Sequence, residues 1–284
     1  YLLEQDPNIV GNPFVSYENN LKKFIGVEHA IGVANGLDAL RLIFRAYIEL
    51  GIMQKGDEII VPANTYIATI IAILQADLVP VLVEPDTETF NIDPNEATKA
   101  ITSKTKAISI PHVTCTTGLV FPIKEICALA RQKGILTAID GAHGAGTFDL
   151  DLYNLGCDFY AGCFHKWMLG PSGTAFLFVR EDALEKLRAV MIGGHSDTGW
   201  DMTVTPPEFK GYVPSARRFD YGTQSKTLAV GMVAAADFHS QIGKPKVESR
   251  IRELNQYLFE GLSELGSRIE ILTPEEREGR ISVI

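Results

Sequence analysis

Basic charge is in short supply: 26 Lys and Arg stand against 35 Asp and Glu, a formal net charge of −9. An acidic balance argues against broad nucleic-acid or anionic-membrane binding, both of which need a basic face. It leaves room for a local phosphate pocket, which backbone N–H groups and one or two side chains can form. Cysteine is sparse too, with only Cys115, Cys127, Cys157 and Cys163. No two form a C-x-x-C pair and no Cys/His spacing resembles a zinc site, so no metal is expected. With no signal peptide, reduced thiols in a cytoplasmic protein are the expectation. No apolar run reaches the roughly 18 residues of a membrane helix. There is no internal repeat, no low-complexity segment and no G-x-G-x-x-G, the usual fingerprint of a dinucleotide site. An initiator Met is absent, and the chain stops inside an apolar run, Ile281-Ser-Val-Ile284. It is therefore expected to continue past its C-terminus, with part of the active site there.

What is present is globular: 284 residues, 46% hydrophobic and 21% charged, enough for one large α/β domain and part of a second. Residues 1–27 read as an N-terminal segment. Residues 30–36 read as a short strand running into a turn, followed by a helix over 37–50 with apolar residues at helical spacing. Strands are expected at 58–61, 79–83, 107–113, 135–139, 157–162 and 175–179. Helices are expected at 65–75, 94–101, 181–189, 227–242 and 248–265, with another opened by Pro122 and closed by Gly134. Strands separated by helices predict a mainly parallel sheet flanked by helices. Residues 193–221 show no periodicity, and a long irregular segment in a compact domain is often functional. The large domain is expected to span 28–243. A smaller, incomplete α/β domain follows over 244–284, with a strand at 268–272.

Four places stand out, each just after an expected strand, where parallel α/β sheets bind ligands. Ala34-Asn-Gly-Leu-Asp-Ala39 puts Asn35, Gly36 and Leu37 at a helix N-terminus, an anion site or an ordinary strand-to-helix turn. In Asn64-Thr-Tyr66, Tyr66 either stacks on a flat ring or packs in the core. Asp140-Gly-Ala-His143 follows a wholly apolar strand. A carboxylate there needs a cationic partner, such as a protonated pyridine nitrogen, or serves as an N-cap or metal ligand. Lys166 lies between a strand and a Gly/Pro-rich turn, flanked by His165 and Trp167. Such a lysine, partly buried, forms an imine readily; the alternative is a structural ion pair. Asp140 and Lys166 stand 26 residues apart, on strands expected to be close in the sheet.

These residues carry two resemblances. Asp140-Gly-Ala-His143, His165-Lys-Trp-Met-Leu-Gly-Pro-Ser-Gly173, His112-Val-Thr-Cys-Thr-Thr-Gly118 and Arg218-Phe-Asp-Tyr-Gly-Thr223 resemble aminotransferase class V. That group of fold-type I pyridoxal 5′-phosphate enzymes includes cysteine desulfurases and isopenicillin-N-epimerase-like proteins, and the likeness covers about 105–230. Residues 29–40, 56–66 and Asn91-Ile-Asp-Pro94 resemble the DegT-type sugar aminotransferases, which share the fold and the cofactor.

The resemblance implies that Lys166 holds pyridoxal 5′-phosphate as a Schiff base and, once freed, shuttles the proton. Asp140 pairs with the pyridine nitrogen and His143 lies near the phenolic oxygen. Tyr66 stacks on the ring. Gly36 and Leu37, after Asn35, offer N–H groups to the phosphate, and His165 helps hold it. Thr223 reaches the phosphate of a neighbouring subunit, which implies a homodimer with shared sites. Cys115 stands where cysteine desulfurases have an Asn at the phenolic oxygen, and Cys163 where they often have a phosphate-binding Ser. Leu37 stands where sugar aminotransferases usually have Ser or Thr.

The substrate implied is a small amino compound, by transamination first and a class V lyase, desulfurase or epimerase reaction second. A non-catalytic binding protein of the same fold is a third reading, against which the Lys166/Asp140 pair argues. His29, His195 and His239 are expected at the surface or in loops and Cys127 in the core. Arg217 and Arg218 either bind a substrate carboxylate or pair with Asp220.

Overall fold

The computed structural model describes residues 26, 30–87, 92–184, 193, 196–214, 216–219 and 225–282. At its centre is a seven-stranded sheet built from β1 (Ala30–Val33), β2 (Glu58–Pro62), β3 (Val79–Val83), β4 (Thr105–Pro111), β5 (Leu136–Asp140), β6 (Phe159–Cys163) and β7 (Ala175–Val179). Their order across the sheet is β1-β7-β6-β5-β4-β2-β3. Only β7 runs against its neighbours, β1 and β6; the remaining pairs are parallel. β1 therefore points the same way as the parallel strands. Its last residue, Val33, and the last of β6, Cys163, both pair with Ala175. The N-terminal turn thus arrives at the sheet edge that also receives the ends of β5 and β6.

The strands are apolar on both faces because helices cover both. Successive side chains alternate. Ile60, Ile108, Ile139, Tyr160, Phe176 and Phe178 enter one core. Ile59, Val61, Ala107, Ala138, Phe159, Ala161 and Leu177 enter the other. Helix α1 (Gly36–Glu49) fills the second core with Leu40, Ile43, Phe44 and Tyr47, and α2 (Ile67–Gln75) adds Ala72 and Ile73. On the opposite face lie α4 (Ile123–Gln132), after α3 (Pro94–Lys99), and α5 (Leu152–Leu155). Helix α6 starts at Glu181–Leu184, and the rest of the expected helix to residue 189 lies outside the described residues. Helix α7 (Lys226–Ile242) sends Ala229, Met232, Ala235 and Ala236 into the first core, and α8 (Lys244–Ser263) follows.

Two expectations change. No strand forms over 268–272. A 3-10 turn at Gly266–Arg268 leads into irregular chain, because no described strand pairs with it. Side chains anchor this region instead. Arg280 is fully buried and donates to Asn255, Gln256 and the Pro274 carbonyl while its guanidinium lies 3.8 Å over the Phe259 ring. Leu119 bridges to Arg280, and Thr273 donates to the Thr117 carbonyl at 3.0 Å. The irregular segment holds a small hairpin, β8 (Trp200–Asp201) with β9 (Glu208–Phe209). Trp200, Phe209 and Tyr212 cluster there, so side-chain contacts organise a stretch without periodicity.

At the far end of the sheet, Asp158 clamps the two strands that carry the central site residues. Its carboxylate accepts from the Thr137 N–H and hydroxyl, both at 2.8 Å, and pairs with Arg180 at 2.6 Å. Replacing Asp158 with Ala leaves the buried Thr137 N–H without its acceptor and removes one partner of Arg180. Asp158→Ala is expected to lower unfolding stability by about 2–3 kcal/mol, read from the denaturant midpoint.

Candidate active site

β5 and β6 are neighbours, with Asp140 opposite Ala161, so the turns that follow them meet. The turn after β5 approaches unusually closely. A Cβ on Gly144 would stand 2.1 Å from the Tyr160 hydroxyl. One on Gly146, whose φ is +86°, would stand 2.6 Å from the Trp167 carbonyl carbon. No other residue type lets the backbone come so near. The approach carries His143 to Lys166: Nε2 of the imidazole is 3.0 Å from Lys166 Nζ. The Trp167 indole N–H donates to Nδ1 of the same ring at 3.2 Å. Burial, and then the Lys166 charge, pull His143 down to about 4.

Asp140 sits beside this pair. Its Oδ1 accepts the Ala142 N–H at 2.9 Å. Burial raises its pKa, and the Ala142 hydrogen bond and the Lys166 charge offset that only in part. A carboxyl pushed toward its neutral form is one that a further cation would return to carboxylate. The site therefore suits a positively charged ring nitrogen.

The third component is the N-terminus of α1. Asn35 caps it, accepting the Asp38 N–H at 2.9 Å. Gly36 and Leu37 occupy the first two helical positions, whose N–H groups have no intrahelical acceptor. Cys163, at the end of β6, is buried against this turn: its Sγ lies 4.0 Å from where a Gly36 Cβ would stand, and the Gly36 N–H bonds to it. Burial, then the nearby Asp140 charge, push the Cys163 thiol up, so it stays protonated beside the anion cradle. His165 bonds through Nδ1 to the Thr174 carbonyl at 3.2 Å.

The sequence-predicted residues thus divide. Asp140, His143, Cys163, Lys166, Asn35, Gly36 and Leu37 come together at one sheet edge. Lys166 is exposed rather than partly buried, because His143 holds its amine at the mouth of the site. Tyr66 follows β2, two strands from β5, and is 63% exposed, which removes the core reading for it. Cys115 is exposed in the turn after β4. Thr223, His29 and His195 lie outside the described residues. His239, expected at the surface, is buried on α7 and hydrogen-bonds the Trp167 backbone; the small residues of that helix let it pack close. Cys127 is in the core.

Two residues beside the site carry no expected role. Trp167 sits within a motif, but nothing in its spacing tells an indole N–H aimed at His143 from a core aromatic. His112 is buried after β4, stacked on Phe148 at 4.6 Å and bonded to the Tyr160 hydroxyl at 2.9 Å. A separate apolar cavity of about 430 Å³ is lined by Ile92, Ile101, Phe121 and Leu129 among others, and no expected site residue borders it.

The aminotransferase class-V model matches residues 13–284, and the chain belongs to that family. It is 30% identical over 275 residues to a probable cysteine desulfurase of Halalkalibacterium halodurans, covering 92% of this chain and 64% of that one. It is 44% identical over 146 residues to dTDP-3-amino-3,6-dideoxy-alpha-D-galactopyranose transaminase of Aneurinibacillus thermoaerophilus, covering 51% and 38%. Isopenicillin N epimerases are also relatives. A cysteine desulfurase structure from Thermococcus onnurineus superposes with a TM-score of 0.82 at 23% identity, covering 95% of this chain and 66% of that one. The architecture is therefore the fold-type I one, and the family's cofactor is pyridoxal 5′-phosphate. The chain spans between about two-fifths and two-thirds of the length of the curated relatives it matches.

His112, held at about 4 by burial, and His143 share a pH consequence. Both fold as neutral rings with pKa values below that of the unfolded chain. The unfolded state therefore binds protons first on acidification, so their contribution is full above about pH 6.5 and is lost as pH falls toward 4. The denaturant midpoint is expected to fall across that window, and less steeply in His112→Phe. An unchanged slope in that variant would show that His112 is not buried as a neutral ring.

Proposed function

We propose that this chain forms the cofactor-holding part of a pyridoxal 5′-phosphate enzyme that takes the α-proton from a small amino substrate. The observation that carries this reading is one constellation. A carboxyl that burial drives toward neutrality, an amine held by a neutral imidazole and the open N-terminus of α1 converge on one sheet edge.

Bound there, the cofactor supplies an electron sink that stabilises a carbanion at the substrate's α-carbon. Lys166 is its covalent attachment point, and the released amine is the base that takes the α-proton. Asp140 faces the pyridine nitrogen and keeps a proton on it, which also relieves the carboxyl's own burial. Gly36 and Leu37 give N–H groups to the phosphate, aided by the α1 dipole, with Asn35 holding the turn and Cys163 and His165 beside it. His143 sits at the phenolic oxygen. Tyr66 and Cys115 border the ring from the ends of β2 and β4. Thr223 serves the neighbouring subunit of a homodimer. The large domain ends near Gly243 and the smaller one begins there.

Which bond breaks after proton removal depends on where the proton returns. Transamination is the reading that the N-terminal half supports, through its 44% identity to a sugar transaminase. A lyase, desulfurase or epimerase reaction is supported by the desulfurase relative that spans 92% of this chain. In either case, protein mixed with the cofactor is expected to show a visible absorbance band that is absent from Lys166→Ala. A band of equal strength in that variant would overturn the assignment. An amino-donor screen then separates the outcomes: conversion to the pyridoxamine form marks a transaminase, and release of sulfide or pyruvate marks a lyase.

A further inference from the structure

His143 lies between two nitrogen partners, and their chemistry fixes where its proton sits. The Trp167 indole nitrogen can only donate. It is 3.2 Å from Nδ1, so Nδ1 must present its lone pair. A neutral imidazole carries one proton, which leaves it on Nε2, the atom 3.0 Å from Lys166 Nζ. Turning the ring over would set carbon atoms against both partners and lose both bonds. We propose that Trp167 is a positioning residue whose indole N–H locks His143 in the Nε2-protonated tautomer, so that the ring turns an N–H toward Lys166.

Several features hold this arrangement in place. The close approach of Gly146 to the Trp167 carbonyl fixes the indole from one side. From the other, buried His239 on α7 hydrogen-bonds the Trp167 backbone. The depressed pKa of His143 keeps the ring neutral, which the tautomer argument requires. Asp140 is the carboxyl nearby. It engages Lys166 electrostatically and is absent from the causes that shift His143.

The tautomer has a consequence for the lysine. An ammonium has three donors and no acceptor, and against an Nε2–H it would place donor on donor. A free amine has a lone pair to accept that N–H. The contact therefore selects the lysine form able to bond an aldehyde carbon. This consequence rests on the proposed function, whereas the tautomer itself does not.

The test begins on the cofactor-free full chain. Nitrogen-15 NMR of histidine rings distinguishes the two tautomers, and His143→Gln identifies the His143 signal by its loss. The wild type is expected to show Nε2 protonated and Nδ1 bare. A wild-type signal with the proton on Nδ1 overturns the proposal without recourse to a variant. Trp167→Phe keeps an aromatic ring and removes the N–H, and the proton is expected to redistribute toward Nδ1; an unchanged tautomer there also overturns the lock. In a second arm, pyridoxal 5′-phosphate is added and growth of the visible band is timed. The rate is expected to fall about five-fold in Trp167→Phe, the worth of one hydrogen bond. Equal rates overturn the consequence for Lys166. A wild type with the expected tautomer but no band supports the lock and contradicts the proposed function instead.

Discussion

Gly141, Gly144 and Gly146 let the turn after β5 lie against Tyr160 and the Trp167 backbone, and the site follows from that close approach. With side chains at these positions the turn would stand away from β6, and His143 would not reach Lys166. The contact is made between neighbouring strands. Their relative position is in turn set at the other end of the sheet by Asp158, Thr137 and Arg180. One end of the β5–β6 pair is clamped by a satisfied polar network, and the other carries groups whose polar needs a ligand would meet.

Electrostatics gives the site its direction. Asp140 is driven toward neutrality by burial, and the Lys166 charge relieves this only in part. A protonated ring nitrogen would complete the relief. The phosphate end of the same ligand would meet the α1 N-terminus, where Cys163 remains a neutral thiol. A chain with net charge −9 can thus bind an anionic cofactor through backbone dipoles and a single amine.

Much of this is legible in the sequence because local signals and topology agree. The apolar run ending at Asp140, the strand ending at Cys163 and the Asn35 cap are set by periodicity and capping chemistry, and the structure keeps them within a residue or two. Right-pointing strand ends then bring Asp140, Lys166 and Gly36 to one edge. What the sequence hides is contact between side chains. The Trp167 indole on His143, the burial of His239 against the Trp167 backbone and the stacking of His112 on Phe148 depend on packing distances that no spacing records. The absent strand at 268–272 is a related case. Ile269, Ile271 and Leu272 have strand-like composition, yet a strand forms only with a partner, and partners are not local.

The central claim is that Lys166 is the residue to which pyridoxal 5′-phosphate attaches. Borohydride reduction of the cofactor-loaded full chain, followed by peptide mapping, tests it most directly. The account predicts a pyridoxyl group on the peptide that contains Lys166 and on no other. A label on a different lysine, or none, would contradict it.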